Sequence, residues 1–340
     1  MKGTHSTLRI KTPPKKKAEL PKIEGYSLLE PWRNTNSGNA RWSFAAKDGE
    51  TYFIKEFLSP VFPEKGVLSN EAAEAKRKIC FNYYRKKCEL YQKIADSATG
   101  NLVLIKDFFL SGTKYYITTE KIRQCNITAD KIANVPEEKK LLLLKILAFS
   151  LSKLHENGVV HADLKPTNVL IKLSETGQVV AKIIDFDGSY LEGQQPGPDN
   201  VQGDQVYFAP ETCRYVFGED VKLTTKVDVF ACGLMFHLYL TGELPKLGPD
   251  YAYAYEALLD GSTVTLSDRL SGEYAALIGS MLALDPEDRP DMAQVLETLK
   301  TIGNSLPSPT PTPPPPPADP EPKKDPPVKS LWHRPNSHGF

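Results

Sequence analysis

The sequence predicts an α+β chain in two lobes, a small antiparallel sheet with one long helix followed by a larger helical region. Three observations carry that prediction. Strand signals with tight turns between them dominate residues 42 to 119, helix formers run from 69 to about 95, and helical composition extends from Pro136 to Ile302 with only short strand signals near 159 to 184. With 340 residues, 40% apolar and 25% charged, the chain can fill such cores, and a wholly disordered chain is excluded.

In chain order, residues 1 to 22 carry Lys2, Arg9, Lys11, Lys15, Lys16, Lys17 and Lys22 around Pro13 and Pro14 without an apolar period, which reads as a flexible basic arm. Trp42 to Ala46 and Thr51 to Phe57, rich in β-branched and aromatic residues and joined across Asp48-Gly49, predict a hairpin. Ser69 and Asn70 before Glu71 mark the start of the long helix. Leu102 to Phe109 and Lys114 to Thr119, with Gly112 between, predict two more strands. Pro136 with Glu137 and Glu138 opens the helical half. Expected boundaries are therefore 23–120 for the first lobe and 121–304 for the second. Residues 305–340 hold nearly half of the 28 prolines, including Pro313 to Pro317, and read as a disordered tail in extended polyproline form. Its end, Leu331, Trp332, His333, Arg334 and Phe340, is a candidate docking peptide for a partner or a tail with incidental aromatics.

Charge and composition exclude several classes. Lys+Arg and Asp+Glu number 42 each, so no net field draws the chain to nucleic acid or an anionic membrane. The longest apolar stretch, Leu141 to Phe149 interrupted by Lys145, is far short of the roughly 20 residues of a bilayer span. No signal-peptide pattern follows Met1, and a cytoplasmic location is expected. The five cysteines, Cys80, Cys88, Cys125, Cys213 and Cys232, lack C-x-x-C spacing and read as reduced thiols.

The chemistry-bearing stretch is His161-Ala162-Asp163-Leu164-Lys165-Pro166-Thr167-Asn168-Val169-Leu170, followed by Asp185-Phe186-Asp187-Gly188. It resembles the catalytic loop H-R-D-x-K-x-x-N and metal-binding turn D-F-G of the eukaryotic-type (Hanks-type) Ser/Thr protein kinases. Phe208-Ala209-Pro210-Glu211, Asp228-Val229-Phe230-Ala231-Cys232-Gly233 and Asp288-Arg289-Pro290 match further motifs of that family in order, so the resemblance covers roughly residues 26 to 300. It implies a bilobal protein-kinase-like fold and transfer of the ATP γ-phosphoryl group to a protein hydroxyl. A pseudokinase scaffold with a weak or occluded nucleotide site, or a small-molecule kinase, are the alternatives.

Phosphoryl transfer asks a protein mainly to position a hydroxyl and to place metal and cationic charge on the phosphates. The resemblance makes Asp163 the expected catalytic base and puts Lys165 at the transferred phosphate. It makes Asn168 and Asp185 the hard-oxygen ligands of Mg²⁺, or Mn²⁺. Phe53-Ile54-Lys55 resembles the family's V-A-I-K strand, which assigns Lys55 to the α and β phosphates. Its expected partner is a helix glutamate, and Glu89, twelve residues before Asn101, fits the interval. Thr119 falls at the gatekeeper position. Glu120 to Ile122 fall at the adenine-binding hinge, and Leu170 joins the spine with Phe186 and His161. Glu211 and Arg289 are expected to form a buried ion pair, and Asp228 to hold the catalytic-loop backbone.

The sequence also leaves the pattern. Where the family has G-x-G-x-x-G, counting back from Lys55 finds Thr35, Ser37-Gly38 and Ala40, so Ser37 and Gly38 are the expected phosphate-loop contacts. Trp42 and Phe53 stand where smaller residues cover the adenine, and each ring is bulky enough to narrow or fill that pocket. Ala162 replaces an arginine that pairs with activation-loop phosphate, so activation is expected not to need that phosphate. Asp204 stands where a threonine follows the glycine now at Gly203, offering a fixed negative charge in place of a hydroxyl. Asp187 replaces the glycine of D-F-G, and either retunes a metal or faces solvent. ATP, a divalent metal and a protein substrate are the implied ligands, with no nucleic-acid or membrane partner.

Overall fold

The computed structural model describes residues 20–34, 40–64, 66, 69–122, 127–173 and 178–305. The basic arm to residue 19, Thr35, Ser37, Gly38, Cys125 and the proline-rich segment from residue 306 lie outside the described residues.

The first lobe is a six-stranded antiparallel sheet of β1 (Lys22–Ile23), β2 (Tyr26–Leu28), β3 (Ala40–Lys47), β4 (Glu50–Phe57), β5 (Ile105–Ser111) and β6 (Lys114–Glu120), ordered β1-β2-β3-β4-β6-β5. It begins at Lys22, the last residue assigned to the basic arm. The β3–β4 turn places Asp48 and Gly49 at φ of 52° and 83°, the two positive values a two-residue hairpin of this twist requires. That turn fixes the register, with Lys47 opposite Glu50 and Trp42 opposite Lys55. Strand alternation then separates two faces. Ile54 packs with Tyr26, Leu28, Ala45 and Tyr116 in an outer core, while Phe53 and Lys55 point the other way.

Helix α1 (Asn70–Asp96) starts where Ser69 Oγ accepts a hydrogen bond from Ala72 N. Ala73, Cys80, Leu90, Tyr91 and Ile94 form its buried stripe. The strand expected from Leu102 begins only at Ile105. Residues 101–103 pair instead with the helical lobe, where Val103 N donates to Ile183 O at 2.9 Å and Ile183 N to Asn101 O at 2.8 Å.

The second lobe contains α2 (Ala129–Ile132), α3 (Glu137–Glu156), β7 (Val159–Val160), β8 (Val169–Leu173), β9 (Val179–Ile183), β10 (Tyr190–Leu191), α4 (Pro210–Val216), α5 (Lys226–Thr241), α6 (Ala254–Leu259), α7 (Gly272–Met281) and α8 (Met292–Ser305). Helix α5 is buried along nearly its whole length and ends at Gly242 in the left-handed conformation. The β8–β9 hairpin pairs Val169 with Ile183 and holds the loop before β8 beside the turn after β9. No helix among the described residues is long and apolar enough to cross a membrane.

Candidate active site

The loop between β7 and β8 is suspended from α5. Asp228, in the first turn of that helix, accepts from His161 N at 2.7 Å and from Ala162 N at 2.9 Å. This holds Ala162 at φ 65°, a conformation a non-glycine residue adopts at a cost. Ser189 Oγ donates to His161 O at 2.9 Å, tying the segment after β9 to the same loop. Asp163 is thereby fixed with its carboxylate satisfied from three sides. Lys165 Nζ donates to Oδ1 at 2.9 Å, Asp204 N to Oδ1 at 3.1 Å, and Asn168 Nδ2 to Oδ2 at 3.0 Å. Asn168 also donates to Asp163 O at 2.8 Å, which turns its amide oxygen away from that carboxylate.

Asp204 differs from its expected role. Its carboxylate turns away to accept from Val206 N at 3.1 Å, and only its backbone N–H reaches Asp163. Gly203, at φ 144°, is required beside it. A Cβ there would lie 2.6 Å from Phe208 and 3.0 Å from Ala162 O.

The turn after β9 brings the lobes together. Asp185, also in the left-handed region at φ 65°, accepts from Lys55 Nζ at 2.9 Å. Phe186 is buried against His161 with ring centroids 5.0 Å apart. Asp187 accepts from the same Lys55 Nζ at 2.7 Å, so its carboxylate is neither exposed nor aimed away from the cleft. Glu89 is exposed on the outer face of α1 and is not the partner of Lys55. The chain interval placed the helix position two residues out of phase, and two residues on a helix turn a side chain through about 200°. Lys87 faces inward instead, donating to Asp187 O at 2.6 Å, with Tyr91 buried one turn on.

Charge and burial set the protonation of this cluster. Burial works against the Lys55 ammonium, but the Asp187 and Asp185 carboxylates hold it charged well above the usual lysine range. Burial raises the Asp185 carboxyl, and Lys55 more than offsets this, leaving it lowered. Asp187 is raised by burial and by Asp185 against the pull of Lys55. Lys87, desolvated and near Lys55, falls to about 8 despite the two carboxylates.

Between the lobes lies a cavity of about 240 Å³ lined by apolar Phe44, Phe53, Val103, Ile117 and Leu170, with Thr119, Glu120, Ile122, Lys55 and Asp185 at its margins. Trp42 stacks on Phe53 at 5.5 Å without lining the cavity, so Phe53 borders the space and the two rings do not fill it. Glu120, at the cavity margin, pairs with Lys182 of β9. Asp185 offers hard oxygens at this margin, and Asn168, whose backbone O accepts from Ile184 N at 3.0 Å, adds an amide oxygen, a donor set that fits a divalent cation. Farther away, Arg289 and Glu211 form a bidentate pair at 2.6 and 2.8 Å, with side chains 0% and 2% exposed.

Sequence reasoning missed Phe44 and the joint role of Lys87 and Asp187. The stripe Tyr83, Lys87, Tyr91 at i, i+4 and i+8 was the available signal for the latter, since it puts a lysine between two aromatic residues on one helix face.

A family model described as "Protein kinase domain" matches residues 67–299. A probable myosin light chain kinase of Dictyostelium discoideum is 29% identical over 215 residues, which is 62% of this chain and 68% of that protein. The serine/threonine-protein kinase cds1 of Schizosaccharomyces pombe is 28% identical over 242 residues, 65% of this chain and 50% of its own length. The serine/threonine-protein kinase RAD53 of Saccharomyces cerevisiae is 27% identical over 240 residues, 65% of this chain and 28% of its own. The chain thus spans half of the first yeast relative and under a third of the second. A sheet lobe and a helical lobe, joined by ion pairs from one strand lysine to the turn after β9, accompany a family match over more than half the sequence, and the chain belongs to the Hanks-type protein kinase family.

Proposed function

We propose that the chain transfers the γ-phosphoryl group of ATP to serine or threonine hydroxyls of a protein substrate, with Mg²⁺ at the phosphates. The observation that carries this reading is the bonded set Asp163, Lys165 and Asn168, tied through Asn168 O and Ile184 N to the turn whose Asp185 meets Lys55 at the margin of one apolar cavity. The cavity suits an adenine ring gripped by Phe44, Phe53 and Leu170, with the backbone of Glu120 to Ile122 at its edge. Lys55 would hold the α and β phosphates, and Asp185 with the amide oxygen of Asn168 would hold the cation. When bound, Mg²⁺ neutralises charge on the β and γ phosphate oxygens.

In this reading Asp163 accepts the substrate hydroxyl proton as that oxygen bonds to the γ-phosphorus. The bond from the γ-phosphorus to the β–γ bridging oxygen breaks and ADP leaves. Lys165, 2.9 Å from Asp163, supplies positive charge at the transferred group. The names of the two yeast relatives, and Lys165 two positions after Asp163, favour serine and threonine over tyrosine.

The test is transfer of labelled γ-phosphate to mixtures of serine, threonine and tyrosine peptides. Label should appear on serine and threonine and fall by about 10²- to 10⁴-fold in Asp163→Asn, which should still melt in one cooperative transition. Equal transfer by Asp163→Asn refutes the base assignment, and label appearing only on small metabolites refutes the protein substrate.

A further inference from the structure

The cluster beneath the sheet contains an exchange of charges. The long helix presents an ammonium, Lys87, on the face where a carboxylate was expected, and the turn presents a carboxylate, Asp187, where the family has glycine. We propose that Asp187 is the residue that positions Lys55 for the nucleotide, and that Lys87 fixes the turn carrying Asp187. This rests on the kinase reading above.

Distances and charge support it. Asp187 lies 2.7 Å from Lys55 Nζ, and Asp185, the expected metal ligand, 2.9 Å away. Once Asp185 turns its oxygens to a cation, Asp187 is the carboxylate left on Lys55. The side chain of Asp187 is 17% exposed and that of Lys55 6%, so the pair is largely sheltered from solvent screening. A glutamate at position 87 would set a third carboxylate against Asp185 and Asp187. A lysine there instead balances two carboxylates with two ammonium groups, and its donation to Asp187 O at 2.6 Å restrains the backbone that aims the carboxylate.

The exchange changes what the helix controls. Where the partner of the strand lysine rides on the helix, displacing the helix breaks the pair and switches activity. Here the partner is part of the turn that also carries Asp185, so the Lys55 pair survives small helix movements, and α1 contributes through a backbone contact. Asp187 and Lys87 are positioning residues.

The experiment combines melting of the nucleotide-free protein with ATP kinetics. Lys55→Met and Asp187→Asn should lower the melting temperature by less together than the sum of their separate shifts, whereas the shifts of Lys55→Met and Glu89→Gln should add. In kinetics, Asp187→Asn should cost about 10²-fold in kcat/KM for ATP. Asp187→Glu should retain more activity than Asp187→Asn, and combining Lys87→Glu with Asp187→Gly should recover most of what Asp187→Gly alone loses. Additive shifts for Lys55 and Asp187, or unaltered kinetics in Asp187→Asn, overturn the proposal. A wild-type protein that transfers no phosphate but keeps non-additive melting shifts refutes the kinase reading and leaves the pairing intact. Additive shifts in an active enzyme do the reverse.

Discussion

Two ion-pair sites in this molecule use the same chemical groups for different ends. Arg289 meets Glu211 in the helical lobe with every guanidinium nitrogen engaged, Nε on Ala283 O, Nη1 also on Lys226 O and Nη2 also on Leu284 O. Lys55 meets Asp185 and Asp187 beside a cavity, with a second lysine nearby whose proton affinity is depressed. The first site is saturated and closed, so it contributes only to stability. The second is crowded with like charges in pairs and borders open space, an arrangement that a phosphate-bearing ligand with its cation would relieve. Completeness of hydrogen bonding therefore separates a brace from a binding site better than the presence of a salt bridge does.

The largest expected effect lies at the brace. Arg289→Ala leaves Glu211 buried without its partner and should destabilise the fold by about 3 to 5 kcal/mol, read from denaturant unfolding. A loss below about 1 kcal/mol would show that the brace contributes no more than an exposed pair.

A smaller, pH-dependent effect belongs to the cleft. Lys87 has its proton affinity lowered to about 8 in the folded state, against about 10.4 for a free lysine. Between those values the unfolded chain binds more protons, so stability should rise as pH increases from 8 towards 10. Lys87 is surrounded by Asp187, Asp185 and Lys55, and the buried Tyr83 and Tyr91 stay protonated through this window. The rise should disappear in Lys87→Met, measured by thermal melting across the range. A wild-type curve that falls from pH 8 to 9.5 would contradict the inward placement of Lys87.

Much of this architecture is legible in the sequence because it depends on local chemistry. Asp48-Gly49 dictates a hairpin, Ser69 caps the helix within one residue of its expected start, and Pro136 followed by two glutamates opens α3. The loop from His161 to Asn168 is legible because its residues lie within eight positions of one another, and the structure brings Asp163, Lys165 and Asn168 into contact. Asp228 and the Glu211–Arg289 pair are legible by motif order, and their bonds form as expected.

What escaped depends on helix phase and on partners distant in sequence. Glu89 fitted a chain interval, but the buried stripe selects Lys87, and Asp187 reads as an isolated departure until Lys55, 132 positions away, is seen to share it. Likewise Leu102 carries strand chemistry, yet its neighbours pair with β9 rather than with the sheet. Phe44 is the exception, legible in principle because the hairpin register sets it opposite Phe53 on the cavity face.

The claim underlying the whole account is that the cleft binds a metal–nucleotide complex through Lys55 and Asp185. Calorimetric titration with MgATP tests it most directly. The account requires saturable binding by the wild-type protein, dependent on the divalent ion and strongly weakened in both Lys55→Met and Asp185→Asn. Absence of heat at millimolar MgATP, or binding that both variants retain, would contradict it.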